Sequence, residues 1–149
     1  MKTGDAPLLF AALDDTDKDN VIQKAEAVAG EGNFGYKLNL DFFIPTDEKA
    51  FDHILSLGKP VFADLKMWNG KRTMAAVLEY LAKQKGVEFV NVYCHGGVKF
   101  LREVKEVTQK YGVHLLGVTV LTHYTDADCK RIYGCDLVGS VKMLAGIGR

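Results

Sequence analysis

The sequence predicts an α/β fold, a parallel sheet of about five strands with covering helices, and two observations predict it. Short β-rich runs recur along the 149 residues, at Leu8 to Leu13, Tyr36 to Phe43, Pro60 to Lys66, Phe89 to Cys94 and His114 to Leu121, and a stretch of helical character follows each. The stretches between them carry apolar residues at helical spacing. In the clearest one, Met74, Val77, Leu78 and Leu81 fall at i, i+3, i+4 and i+7, one stripe that faces a sheet.

The elements follow in order. The run at Leu8 to Leu13 is short and apolar, as a buried strand is, and it leads into Asp15, Asp17 and Asp19. With Ile22 and Glu26 these aspartates match the spacing of a calcium-binding EF-hand loop, but that motif needs an entering helix and a glycine where Asn20 stands. Acidic residues at a strand-to-helix junction cap the helix and complement its dipole, and that reading is preferred. Gly30, Gly32 and Gly35 spell GxGxxG. A dinucleotide site places that motif after a strand and before a helix; here it comes after a helix and before a strand, so it reads as a flexible helix exit. The helix after the third strand ends toward Gly86. The next carries Leu101, Val104 and Val107, the last Leu137, Val141 and Leu144, and Gly112 and Gly134 sit at helix stops. No long linker or low-complexity stretch interrupts the series, so residues 1–149 read as one domain.

Composition narrows the function classes. Hydrophobic residues make up 48% of the chain and charged residues 26%, enough apolar content for one buried core. Nineteen basic residues balance nineteen acidic ones, so no global field draws the chain to nucleic acid or an anionic membrane. The N-terminus lacks the pattern of a secretory signal, no apolar run has the length of a membrane helix, and a cytoplasmic location is expected. Cys94, Cys129 and Cys135 form no CxxC pair and are expected to be reduced and structural.

The third strand carries the chemistry. Asp64 and Lys66 are two apart and share a face, while Val61, Ala63 and Leu65 point the other way toward covering helices. In a (β/α) barrel the shared face is the interior, and catalysts sit at the C-terminal ends of the strands. Buried charges are expensive unless paired, so a structural ion pair accounts for Asp-x-Lys alone equally well. Lys37 in the second strand and Asp14 at the end of the first would reach the same rim. Four converging charged groups are hard to explain as packing.

The segment FADLKMWNGKRT, Phe62 to Thr73, resembles the Asp-x-Lys-x-x-Asp signature, followed by a threonine, of orotidine 5′-monophosphate decarboxylases. AALD at Ala11 to Asp14, the Lys37 strand, VNVYCHGG at Val90 to Gly97 and GVTVLT at Gly117 to Thr122 extend the resemblance over nearly the whole chain. It implies an incomplete TIM-type (β/α) barrel. It also implies an enzyme that decarboxylates orotidine 5′-monophosphate (OMP) to UMP in pyrimidine synthesis, without metal or organic cofactor, as a homodimer. By resemblance, Lys37, Asp64 and Lys66 match the family's charged array, Asp14 a ribose-hydroxyl contact and Thr122 a contact to the pyrimidine. Thr73 matches a position that reaches the neighbouring subunit's site. Asn69 departs from the pattern, standing where the family has its second aspartate, a residue that crosses the dimer. The amide keeps hydrogen bonding and loses a charge.

Other residues carry milder expectations. Lys71 and Arg72 read as solvated residues at a helix start, and Trp68 as a packing or dimer contact. Asn91, Tyr93 and His95 share one parity on the fourth strand and read as a polar lining without catalytic duty; a Cys94–His95 couple is excluded because strand neighbours point to opposite faces. The related sugar-phosphate decarboxylases and synthases share Asp-x-Lys but use magnesium and carry an acidic residue where Lys37 stands, so the orotidine enzyme is preferred. The other alternative is a catalytically incompetent barrel fragment acting as an interaction module. Five units of the eight in a closed barrel are expected here, with the phosphate-binding loops after strands seven and eight lying outside the sequence.

Overall fold

Five segments find parallel partners in the computed structural model, which describes residues 9–44 and 48–148. The strands are β1 (Phe10–Ala12), β2 (Gly35–Asn39), β3 (Val61–Met67), β4 (Val87–Tyr93) and β5 (His114–Val118). The helices are α1 (Lys18–Val28), α2 (Glu48–Ser56), α3 (Lys71–Ala82), α4 (Gly97–Gln109), α5 (Asp126–Tyr133) and α6 (Leu137–Ile147). The sheet order is β1-β2-β3-β4-β5 with every pair parallel. Each strand is added beside its predecessor without reversal, as in the wall of a (β/α) barrel and unlike a doubly wound sheet, whose order reverses at a switch point.

Alternation sorts the strand residues into two faces. Tyr36, Leu38, Val61, Ala63, Val90 and Val92 are fully buried, together with Met74 and Leu78 of α3 and Val104 of α4. Burying each large side chain of this set contributes roughly 1.5–3 kcal/mol. The Tyr36 hydroxyl donates to the Ala25 carbonyl at 2.9 Å, which satisfies its one polar atom and pins α1 to β2. The opposite face carries Phe10, Phe62 and Phe89, whose rings meet edge to face at 5.4–6.4 Å, with His114 stacked on Phe89 at 5.0 Å. This aromatic layer lies toward the N-terminal ends of the strands and forms a floor beneath the polar residues that follow.

Among the strand limits that differ from the sequence reading are three C-terminal ends. The second strand ends at Asn39, and Leu40–Phe43 is a 3-10 turn with Phe42 buried. There the Asp41 carboxylate accepts the Phe42 N–H at 3.1 Å, a local bond that competes with the ladder. The fifth strand stops at Val118, and Leu121 turns, its carbonyl accepting the Tyr124 N–H at 3.0 Å. β4 gives way at Cys94 to a 3-10 turn, Cys94–Gly96. Leu8, in the first run, lies outside the described residues.

At the helix ends, Gly112 (φ 73°) and Gly134 (φ 78°) are left-handed, as a chain leaving a helix requires, and α3 stops at Ala82, ahead of Gly86. The Asp17 side chain caps α1 by accepting the Asp19 N–H at 2.9 Å. Gly35 is the first residue of β2. In α6, Leu144 is buried but Val141 is 38% exposed, so its apolar stripe is narrower than the spacing suggests. Among the described residues no helix is long and apolar enough to cross a membrane.

Candidate active site

Three strand ends deliver the charged residues to one place. Lys37 leaves β2 with its ammonium donating to Asp14 Oδ1 and to Asn39 Oδ1, both at 2.7 Å, and standing 3.4 Å from Asp64 Oδ2. Lys66 Nζ donates to that same Asp64 oxygen at 2.5 Å. Asn91 Nδ2 donates to the other, Oδ1, also at 2.5 Å. Asp64, 6% exposed, is thus held on both oxygens between two ammonium groups and an amide.

Regular alternation does not bring Asp64 and Lys66 together. Ala63 pairs with Val90 and Met67 with Val92, so three residues of β3, Asp64 to Lys66, face the single residue Asn91 of β4. This is a bulge, which leaves ladder groups unpaired and re-aims side chains. Lys66 absorbs the excess with φ 46°, the one non-glycine residue with positive φ among those described. That conformation costs an L-residue about 1–2 kcal/mol. The Lys66 N–H, displaced from the ladder, donates instead to Asn91 Oδ1 at 2.8 Å.

Two effects compete at Asp64. Burial pushes its carboxyl upward, but hydrogen bonds from Lys66 and Asn91 and the charges of Lys66 and Lys37 together outweigh it and hold the group below its ordinary value. Asp64 is therefore an anion at neutral pH, with two cations beside it. Such an array presents fixed charge around a buried carboxylate, where it acts more strongly than in bulk water.

Of the residues singled out from the sequence, Asp14, Lys37, Asp64 and Lys66 come together. Asn69, Thr73 and Thr122 are exposed, and none of the cluster's hydrogen bonds reaches them. Asn69 Oδ1 accepts the Gly70 N–H at 2.6 Å, at the start of α3. Two polar residues of the cluster escaped the sequence reading. Asn39 extends the Lys37 contact, and Asn91, read as a passive lining, joins Asp64 to Lys66. The available signal was an amide inside a strand, since a buried amide demands partners.

Two hollows flank Lys66. One, of about 510 Å³, is lined by Asn39, Asp41, Ile44, Asp64 and Lys66. The other, of about 480 Å³, is lined by Lys66, Trp68, Tyr93, Thr119, Tyr124 and Tyr133, among others. His95 turns out of the strand line and pairs with the Tyr133 hydroxyl at 2.6 Å. Trp68 is 63% exposed, Lys71 pairs with Glu103 at 2.7 Å, and Arg72 is exposed. The three cysteines are free thiols; Cys94 and Cys129 are buried.

Residues 7–141 match the family described as "Orotidine 5'-phosphate decarboxylase / HUMPS family". A curated relative named orotidine 5′-phosphate decarboxylase, from Wolbachia pipientis subsp. Culex pipiens, is 29% identical over 83% of this chain and 54% of its own length. Another of that name, from Paramagnetospirillum magneticum, is 26% identical over 95% of this chain and 63% of its own. The chain thus spans little more than half the length of these relatives. Among solved structures, an uncharacterised conserved protein from Geobacillus kaustophilus superposes with a TM-score of 0.80 at 22% identity, over 94% of this chain and 68% of that one. The orotidine 5′-phosphate decarboxylase of Lactobacillus acidophilus does so with a TM-score of 0.76 at 24% identity, over 97% and 67%. At these identities the superpositions establish the fold alone.

Proposed function

Because the chain belongs to the orotidine 5′-phosphate decarboxylase / HUMPS family, we propose that its charged cluster serves the cofactor-free decarboxylation of OMP to UMP. The observation that carries this reading is the position of Asp64, a buried anion with Lys66 at 2.5 Å and Lys37 at 3.4 Å, at the C-terminal ends of parallel strands.

In the proposed reaction the substrate carboxylate approaches Asp64. The bond between C6 and the carboxyl carbon breaks, carbon dioxide leaves, and the electron pair stays on C6. The Lys66 ammonium stabilises that carbanion and then transfers a proton to it, giving UMP. Lys37 holds Asp64 and Asp14 in place by charge, and Asp14 is available to a ribose hydroxyl. Thr122 is assigned to the pyrimidine, and Asn69 and Thr73, both exposed on the α3 side, to the site of a second subunit in a homodimer.

The family name also covers sugar-phosphate enzymes. Lys37 favours the orotidine reaction, because an ammonium occupies the place beside Asp64 where a metal-dependent site needs another carboxylate.

The test is incubation of the chain with OMP while its absorbance is followed, with Lys66→Ala as control. Substrate loss that requires Lys66 supports the enzyme; no loss in either protein leaves a barrel segment without this activity. Magnesium-dependent turnover of a sugar phosphate would replace the assignment.

A further inference from the structure

The bulge in β3 creates a mechanical problem that the charged cluster does not solve by itself. A lysine has no intrinsic preference for φ 46°, and relaxing to a negative φ would swing its side chain away from Asp64. Something must hold the backbone there. The Lys66 N–H has lost its place in the strand ladder, and its acceptor at 2.8 Å is a side chain, Asn91 Oδ1, supplied by the residue that faces the bulge. The same amide group donates through Nδ2 to Asp64 Oδ1 at 2.5 Å. Asn91 is 3% exposed and carries no charge.

We propose that Asn91 is the positioning residue of the site: one planar amide clamps the Lys66 backbone in its left-handed conformation and orients the Asp64 carboxylate, so that ammonium and carboxylate keep their mutual geometry. An amide suits this task because it offers one acceptor and one donor in a fixed plane, one for each partner. A hydroxyl is too short to reach both, and a carboxylate would set a second anion against Asp64. Asn91 lies behind the pair and acts through it. The kinetic consequence rests on the decarboxylase reading; the structural one does not.

The experiment is carbon-detected NMR on the full labelled chain, comparing wild type with Asn91→Ala and Asn91→Asp. The Lys66 backbone shifts and its HN–Hα coupling report φ, and the Asp64 carboxyl shift reports its titration. The groups facing Asp64 are Lys37, Lys66, Asn91 and Tyr93. Asn91→Ala is expected to move Lys66 to negative φ and to shift the Asp64 titration upward. Asn91→Asp keeps the acceptor for the Lys66 N–H, so Lys66 stays left-handed while the Asp64 titration rises against the new carboxyl. If Asn91→Ala does not fold, Asn91→Leu, which keeps the side-chain volume and removes both hydrogen bonds, takes its place and must show the same two changes.

Unchanged Lys66 and Asp64 signals in a folded Asn91→Ala, or an unchanged Asp64 titration in Asn91→Asp, would overturn the proposal. Where the chain turns over OMP, Asn91→Ala should lower kcat about a hundredfold with KM little changed, the signature of a displaced reacting group. An absence of turnover in the wild type bears on the decarboxylase reading and leaves the NMR result standing.

Discussion

Lys37 and Asp64, from neighbouring strands, stand 3.4 Å apart, with the lysine shared between Asp64 and Asp14 and the aspartate shared between Lys37 and Lys66. The charges alternate along this chain of contacts, so each group is stabilised by its neighbours and exposed by their removal.

Asp64→Asn should therefore cost stability in a pH-dependent way. The folded carboxyl titrates below its ordinary 3.8, so its contribution is fully present above that value and is lost as pH falls through the folded range. At neutral pH the substitution should cost about 1–3 kcal/mol, less than in a fully buried pair because the Lys66 side chain is 43% exposed. Denaturant unfolding between pH 7 and pH 2 should show the gap between variant and wild type closing in acid. A constant gap would mean the charge of Asp64 contributes nothing to folding.

Gly35 lies opposite Phe10 in the register of β1 and β2, and a Cβ there would meet the Phe10 ring at 2.5 Å and the Pro60 carbonyl oxygen at 2.5 Å. The ring can turn, but the carbonyl belongs to the backbone bond that Tyr36 makes with Pro60. Gly35→Ala is expected to destabilise the chain by about 1–3 kcal/mol. A thermal midpoint equal to that of wild type would show that β2 can shift at no cost.

Asn69→Asp supplies the carboxylate that the resemblance assigns to this position. One added charge interaction of about 1.4 kcal/mol in the transition state corresponds to about a tenfold rise in rate. Measured as kcat with OMP, an unchanged value would show that the amide already supplies what the aspartate does.

Thiol labelling of the native protein should proceed in a fixed order. Cys94 is 1% exposed and burial pushes its thiol up, and Cys129 is fully buried, whereas Cys135 is partly exposed. Cys135 should react first, with the other two following only on unfolding. Early modification of Cys94 would reveal local opening of the turn that follows β4.

What the sequence determined by itself was the order of the elements and the identity of the charged residues. Strand runs and helical stripes are local patterns, and Asp64, Lys66, Lys37 and Asp14 stand out because charge at strand ends needs a reason. The tertiary structure decided how those charges meet. Period-two alternation places Asp64 and Lys66 on one face only if β3 is regular, and it is not. Whether a strand bulges depends on the register of the strand beside it, and so does the need for Asn91 to replace a missing ladder bond. The shortening of β2 at Asn39 is by contrast local, because the Asp41 carboxylate takes the N–H of the next residue, Phe42, at 3.1 Å, a bond that needs no partner strand.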